Sequence, residues 1–499
     1  MSEDLITNQK LTVNVVWNLI GTAFPILVAL IAIPLLIEGM GLERFGVLTL
    51  AWMVVGYFSL FDLGLGRALT KLVAEKLREH GDEVPSAIWT ALWLMVILGG
   101  LGAVILAAVT PWLVKDLLHI PFELQHEALL AFYFLAASIP VVIITTGLRG
   151  VLEAYQRFGL VNIVKVPLGI FTFLGPVAVL PFTNSLAAIV GVLVLARLLS
   201  LVAYSVLCHH VVPNISQSIN IKKELIGPLT KSGSWMTVSN VIGPLLVYVD
   251  RLFIGAVATM AVVAYYSTPY EIVIKLLIIP GAFMGVMFPA FAIALDQNKP
   301  RALHLYNRVI SYIYISLFPM VLIIVMFAHE GLTLWIGSDF ADNSSLVLQL
   351  LAIGVFINSH AQVPFGMIQV AGRSDLTAKL HLLELPLYLL VLWWLLGEYG
   401  ITGAAIAWVI RVSFDTSLLF YISQILLKVP TSSMYRLISM ISVALFLFVV
   451  SALMSGILIK GVFLISVLVV FLFVAWFVII ESEERDAISG HVKNLIRHN

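Results

Sequence analysis

Charge is what this chain has least of. Lys, Arg, Asp and Glu together make 11% of its 499 residues, against roughly 25% in an ordinary soluble domain. Hydrophobic residues make up 61%. No water-soluble core could hide that much apolar surface, whereas a bilayer is itself the apolar solvent. The 28 basic and 28 acidic residues cancel, which removes the basic surface a nucleic-acid partner would need. The single cysteine, Cys208, excludes an intrachain disulfide and a cysteine-cluster metal site; set among apolar neighbours, it reads as a packing residue. No P-loop is present, since Gly227 to Ser234 has the wrong spacing, and neither HExxH nor GxSxG occurs. No cofactor, no metal and no catalytic residue are therefore expected, and the chain is not expected to be an enzyme. The sequons at Asn214 and Asn343 read as chance.

What is abundant is long apolar runs. Met1 to Lys10 carries Glu3 and Asp4 where a signal peptide has positive charge, and the apolar stretch 11–37 exceeds a signal core. It is expected to be a first transmembrane helix. Fourteen spans follow from the runs, at 11–37, 45–66, 86–114, 128–148, 159–182, 186–208, 235–257, 261–293, 309–328, 345–370, 380–397, 401–427, 437–459 and 461–480. The longest polar connection, 209–234, reads as a cytoplasmic linker. With the N-terminus in the cytoplasm, only Arg44, Lys115 and Lys460 fall in outer loops. The clusters Arg67 to Arg78, Arg149 to Lys165, Lys222 to Lys231 and Lys299 to Arg308 all fall inside. This regularity supports both the span count and cytoplasmic N- and C-termini.

A short repeat links spans 1 and 7: Asn18-Leu19-Ile20-Gly21 with Pro25, and Asn240-Val241-Ile242-Gly243 with Pro244. Span 7 is six spans on from span 1, an even offset, so the repeats would run parallel. The expected organisation is a six-helix half at 1–208, the linker 209–234, a second six-helix half at 235–427, two further helices within 428–480, and a cytoplasmic tail at 481–499.

Charged residues inside spans are costly and usually face a cavity or a partner. Arg197 stands near the middle of span 6 with no acid in its own span. Asp250 and Arg251 are adjacent in span 7 and point to different faces. Glu271 with Lys275, and Arg411 with Asp415, are four apart and share a face. Each of these pairs reads equally as cavity lining or as a structural ion pair. Asp62 and Glu384 lie near span ends and are expected to reach the interface. Asn14, Asn18 and Thr22 form one stripe, and Asn240 with Tyr248 another, suited to cavity lining or helix–helix hydrogen bonding. An arginine fork suits phosphate, so the functional reading is a partly cationic lumen.

Two stretches carry a family resemblance. Gly41 to Glu75, GLERFGVLTLAWMVVGYFSLFDLGLGRALTKLVAE, resembles the opening of bacterial polysaccharide exporters. VYVDRLFIG (Val247 to Gly255), AYYSTPYEIVIKLLIIPGA (Ala264 to Ala282) and FPAFA (Phe288 to Ala292) resemble an O-antigen-type flippase of the polysaccharide transporter family. That family lies within the multidrug/oligosaccharidyl-lipid/polysaccharide exporter superfamily. The resemblance implies an all-α polytopic fold of about fourteen transmembrane helices, with two six-helix bundles related by a pseudo-twofold plus two C-terminal helices. It implies inversion of a polyprenyl-pyrophosphate-linked oligosaccharide from the cytoplasmic to the periplasmic leaflet of the bacterial inner membrane. The expected partners are that substrate, membrane lipids, and polymerase and glycosyltransferases of the same pathway. The motif positions are Asp250, Arg251, Tyr270, Glu271 and Lys275; Arg197 and Arg411 join them on placement within spans. The alternatives are a multidrug or lipid-precursor exporter of the same superfamily and a membrane-embedded polymerase or glycosyltransferase. As many bases as acids stand at midplane, which favours an anionic ligand, and no large hydrophilic catalytic loop is present.

Overall fold

The computed structural model describes residues 8–60, 64–79, 83–213, 215, 220–231, 234–427, 431–480 and 485. Among them the chain is helical throughout and has no strand; its one β-like contact is a single bridge between His119 and Thr259. The helices are α1 (Asn8–Met40), α2 (Leu42–Leu60), α3 (Leu65–Glu79), α4 (Val84–Trp112), α5 (Phe122–Ala154), α6 (Phe158–Val179), α7 (Leu186–Val211) and α8 (Lys223–Lys231). They continue as α9 (Ser234–Val257), α10 (Met260–Val273), α11 (Ile278–Gln297), α12 (Lys299–Met326), α13 (Ala328–Trp335), α14 (Ser338–Val370), α15 (Ser374–Leu427), α16 (Thr431–Ala452) and α17 (Ile457–Val474).

Among the described residues ten helices are long and apolar enough to cross a membrane. Of these α15 serves twice. Its 54 residues would reach about 80 Å if straight, against a hydrocarbon core of about 30 Å. It breaks at Gly400, where φ is +58°, a conformation open to glycine at little cost. With α1, α2 and α9, the expected fourteen spans are accounted for. The sequence reading missed the short helices. Span 2 ends early, and the basic segment behind it forms the separate helix α3. The long span at 261–293 is α10 and α11 joined by a tighter 3₁₀ turn at Ile274–Leu277.

Two compact units emerge from packing: residues 1–268 with 378–404, and residues 269–377 with 405–499. In the first, α5 packs against α4 and α7, α1 against α6, and α6 against α7. Small residues let the backbones close: a Cβ on Gly99 would stand 2.6 Å from Pro140 Cα, and one on Gly150 would stand 2.5 Å from Thr70 Oγ1. In the second unit, α12 packs on α14, α16 and α17, and rings interlock at Tyr314, Phe318, Phe356, Phe448 and Phe471. Polar ends are tied locally. Asn298 Oδ1 accepts from Arg301 N at 3.1 Å and caps α12, with Pro300 in its first turn. Lys460, only 8% exposed, donates to both oxygens of Glu330 at 2.7 and 3.0 Å. That bond anchors the start of α17 to α13.

Candidate functional site

Arg197 lies eleven residues into α7, about 16 Å along its axis, so it stands at mid-depth for a 30 Å core. It borders a small pocket with Trp52 of α2, Ser138 of α5 and Leu168 and Thr172 of α6. Ser138 and Thr172 donate to Leu135 O and Leu168 O of their own helices, at 2.7 and 2.8 Å. Their donors are therefore spent. Arg197 has no carboxylate partner among the described residues. The buried Trp52 Nε1–H likewise has no acceptor among them, while its ring packs edge-on against Phe45 and Phe173. Two donor groups without acceptors thus line one pocket. The space between them is about 10 Å³, room for one water-sized group, so an anion could offer its oxygens to this pair only once the pocket widens.

The other expected site residues are placed differently. Asp250 is wholly enclosed and Arg251 is 1% exposed. The carboxylate Oδ2 of Asp250 accepts from Tyr266 OH at 2.6 Å, and Oδ1 accepts from Arg251 N at 2.8 Å. The Arg251 guanidinium stands 5.3 Å from the Tyr248 ring centre. Tyr266, not among the expected site residues, thereby ties α10 to α9. Tyr270 is buried and meets Trp408 edge-on at 5.7 Å. Glu271 and Lys275 do pair, at 3.4 Å, half-exposed beside the 3₁₀ turn. Arg411 is half-buried and Asp415 buried, one turn apart on α15. Glu384 was expected to reach the interface; instead it is 1% exposed. The side chains of Asn14, Asn18, Thr22 and Asn240, and all of Asp62, lie outside the described residues.

Sequence reasoning also missed what the GLERFG segment does. Gly41 turns the chain between α1 and α2 with φ at +79°. Glu43 Oε2 accepts from Ala261 N at 3.1 Å, an acid on the exposed N–H groups of the α10 N-terminus. Arg44 grips both oxygens of Glu127, at 3.3 and 3.2 Å, and Glu127 Oε2 also accepts from Leu186 N at 2.9 Å. His119 N donates to Gly255 O at 2.9 Å. Gly46 lies so close to Met260 that an added Cβ would stand 1.9 Å from the Met260 carbonyl oxygen. These contacts join α2, α5, α7, α9 and α10 at one end of the first unit. An acid–base pair directly after a turn glycine was the available signal.

At the opposite ends of α2 and α9, the expected linker is held down. Glu83 accepts from Lys76 at 2.7 Å and from Lys222 at 3.1 Å. Thr90 Oγ1 accepts from Lys222 N at 3.1 Å, and Trp89 Nε1 donates to Ile215 O at 2.7 Å. Hydrogen bonds from Lys76 and then Lys222 hold the Glu83 carboxyl down at about 2. The depressed value makes the carboxylate favour the strapped state. Its contribution is whole above the ordinary pKa near 4.5, shrinks as pH falls below that, and is gone once pH passes about 2. Glu83→Gln is therefore expected to raise protease cleavage within 215–231 at pH 7. In the wild type cleavage should stay low at pH 7 and rise toward pH 3; a cleavage rate unaffected by the substitution would contradict the strap.

Residues 11–295 match the family described as "Polysaccharide biosynthesis protein". The chain belongs to that family. A curated relative from Shigella flexneri, named "Putative O-antigen transporter", is 34% identical over 408 residues, which cover 81% of this chain and 96% of the relative. The fold is that of membrane transporters. An inward-facing multidrug resistance MATE family transporter of the MOP superfamily superposes with a TM-score of 0.70 at 15% identity, covering 81% of this chain and 94% of that one. A MOP superfamily transporter from Pyrococcus furiosus Vc1, whose structure is described by the reverse polarity of its binding pocket, gives a TM-score of 0.59 at 15% identity, over 84% and 95%.

Proposed function

We propose that this family member is a flippase. It moves a polyprenyl-pyrophosphate-linked oligosaccharide from the cytoplasmic to the periplasmic leaflet of the inner membrane for surface polysaccharide biosynthesis. The observation that carries this reading is the mid-depth pair of unmatched donors, Arg197 and Trp52, in a member of a polysaccharide biosynthesis family. A bare cation at that depth is expensive, and a pyrophosphate that supplies acceptor oxygens offsets the cost. The name of the Shigella relative supports the same substrate class.

In this reading both termini are cytoplasmic, and the halves at 1–208 and 235–427 rock to give alternating access. The lipid tail stays in the bilayer. The contacts of Glu43, Gly46 and His119 with residues 255–261 then close the periplasmic end, and outward opening must break them. Lys275 and Arg411 are the further cations offered to substrate. Arg251, enclosed beside Tyr248, reaches it only after that opening. Asp250, Tyr270, Glu271 and Asp415, with Asn18 and Asn240, line or couple the cavity.

The experiment is translocation in proteoliposomes. Lipid-linked oligosaccharide is placed in one leaflet, and the sugar reaching the other is read with a membrane-impermeant lectin. Protein-dependent transfer at least tenfold above empty vesicles is expected. If no transfer occurs while a cationic drug is exported, the multidrug reading takes its place.

A further inference from the structure

A second cavity lies within the second unit. It lies between α12, α16 and α17 and has a volume of about 470 Å³. Its walls include Phe318, Met440, Leu447, Phe463, Val467 and Phe471. On one side Val443, Val470 and Val478 border it, and they are 56%, 62% and 64% exposed. In a membrane chain the cavity is thus open to lipid. The three hydroxyls in its wall are already used: Ser439 donates to Arg436 O at 2.7 Å, Ser466 to Val462 O at 2.8 Å, and Tyr314 to Met440 O at 3.2 Å. The walls therefore present hydrocarbon and little else.

One end is different. Arg436 borders the cavity there, exposed, with Nη2 donating to Val478 O at 3.0 Å and Ile479 O at 3.3 Å. These are carbonyls left over where the helix ends in a π turn at Ala475–Ile479. The bonds fix the guanidinium without neutralising it, and no carboxylate pairs with it among the described residues. A second guanidinium, Arg485, stands 5.6 Å from the Phe477 ring centre at the same end. An apolar slot open to the bilayer, with fixed positive charge at the interface, matches the two parts of an acidic lipid.

We infer that this cavity holds one acyl chain of a resident acidic phospholipid, with its phosphate on Arg436. The site does not depend on the transport reading, and its test uses no transport assay. Glu481, Glu483 and Glu484 follow in the sequence outside the described residues, so lipid preference is measured rather than counted from charge.

Delipidated full-length protein is titrated with phosphatidylglycerol and with phosphatidylcholine of the same chains, and bound lipid is read by native mass spectrometry. The wild type is expected to retain phosphatidylglycerol about fivefold better, the size of one interfacial arginine's contribution. Arg436→Gln, an exposed change that spares the core, should bring the two lipids to parity. Val467→Trp should fill the slot and displace both lipids, with thermal melting checking that it folds. Equal retention of the two lipids by the wild type overturns the proposal, as does a preference that survives Arg436→Gln. If a polyprenyl phosphate displaces bound phosphatidylglycerol completely, the slot belongs to a transported tail, and the resident-lipid assignment falls.

Discussion

Arg197→Ala is expected to lower transport by at least tenfold while the protein accumulates in the membrane as well as wild type, or better. The two halves of that result have separate causes. A charge-assisted hydrogen bond to an ionised partner contributes about 1.5–3 kcal/mol, and tenfold corresponds to about 1.4 kcal/mol. Losing that bond weakens the grip on pyrophosphate. In the empty protein, by contrast, Arg197 has no carboxylate partner among the described residues. Removing it relieves a charge held at mid-depth, which costs about 2.5–3.5 kcal/mol on insertion scales. A structural arginine would behave oppositely, because its loss would orphan a partner. Arg197→Lys keeps the charge but loses the planar fork, so an intermediate rate is expected. The paired readout is transport rate and melting temperature of the purified variants. A loss of stability in Arg197→Ala would count against the site.

Gly46→Ala is expected to destabilise the protein by about 1–3 kcal/mol, the usual cost of overpacking a close-packed contact. The new Cβ would stand 1.9 Å from the Met260 carbonyl oxygen. Backbone is the obstacle, so no flexible side chain can swing away. Either α2 or the start of α10 must move, and the bond from Ala261 N to Glu43 stretches with it. Glu43→Gln keeps a neutral acceptor there and gives up only the charge at the α10 N-terminus, about 0.3–1 kcal/mol. Its melting temperature should therefore fall by much less. If Gly46→Ala melts with the wild type, this end is not packed as described.

The spans were legible because twenty-residue apolar runs have no other home. The lone Arg197 was legible by the same logic, as a charge with no acid within its span. Partnerships across helices were not. Nothing in the local pattern says that Tyr266 reaches back sixteen positions to Asp250, or that Glu43 caps a helix more than two hundred residues on. The interface expected for Glu384 failed because nearness to a span end does not fix the face a side chain takes. The amphipathic α3 was missed because its basic residues, Arg67 to Arg78, read as a loop behind span 2. The cavity of α12, α16 and α17 had no sequence mark, because apolar walls look alike whether packed or parted.

Display of surface polysaccharide in a strain lacking its own flippase tests the central claim most directly. Wild type and Arg197→Ala are compared at matched membrane levels, with acceptor strains spanning several repeat units. The account predicts that wild type restores display in a strain whose repeat unit it accepts, and that Arg197→Ala does not. Restoration by both proteins to the same level would contradict the cationic site, and failure of wild type in every strain would contradict the flippase itself.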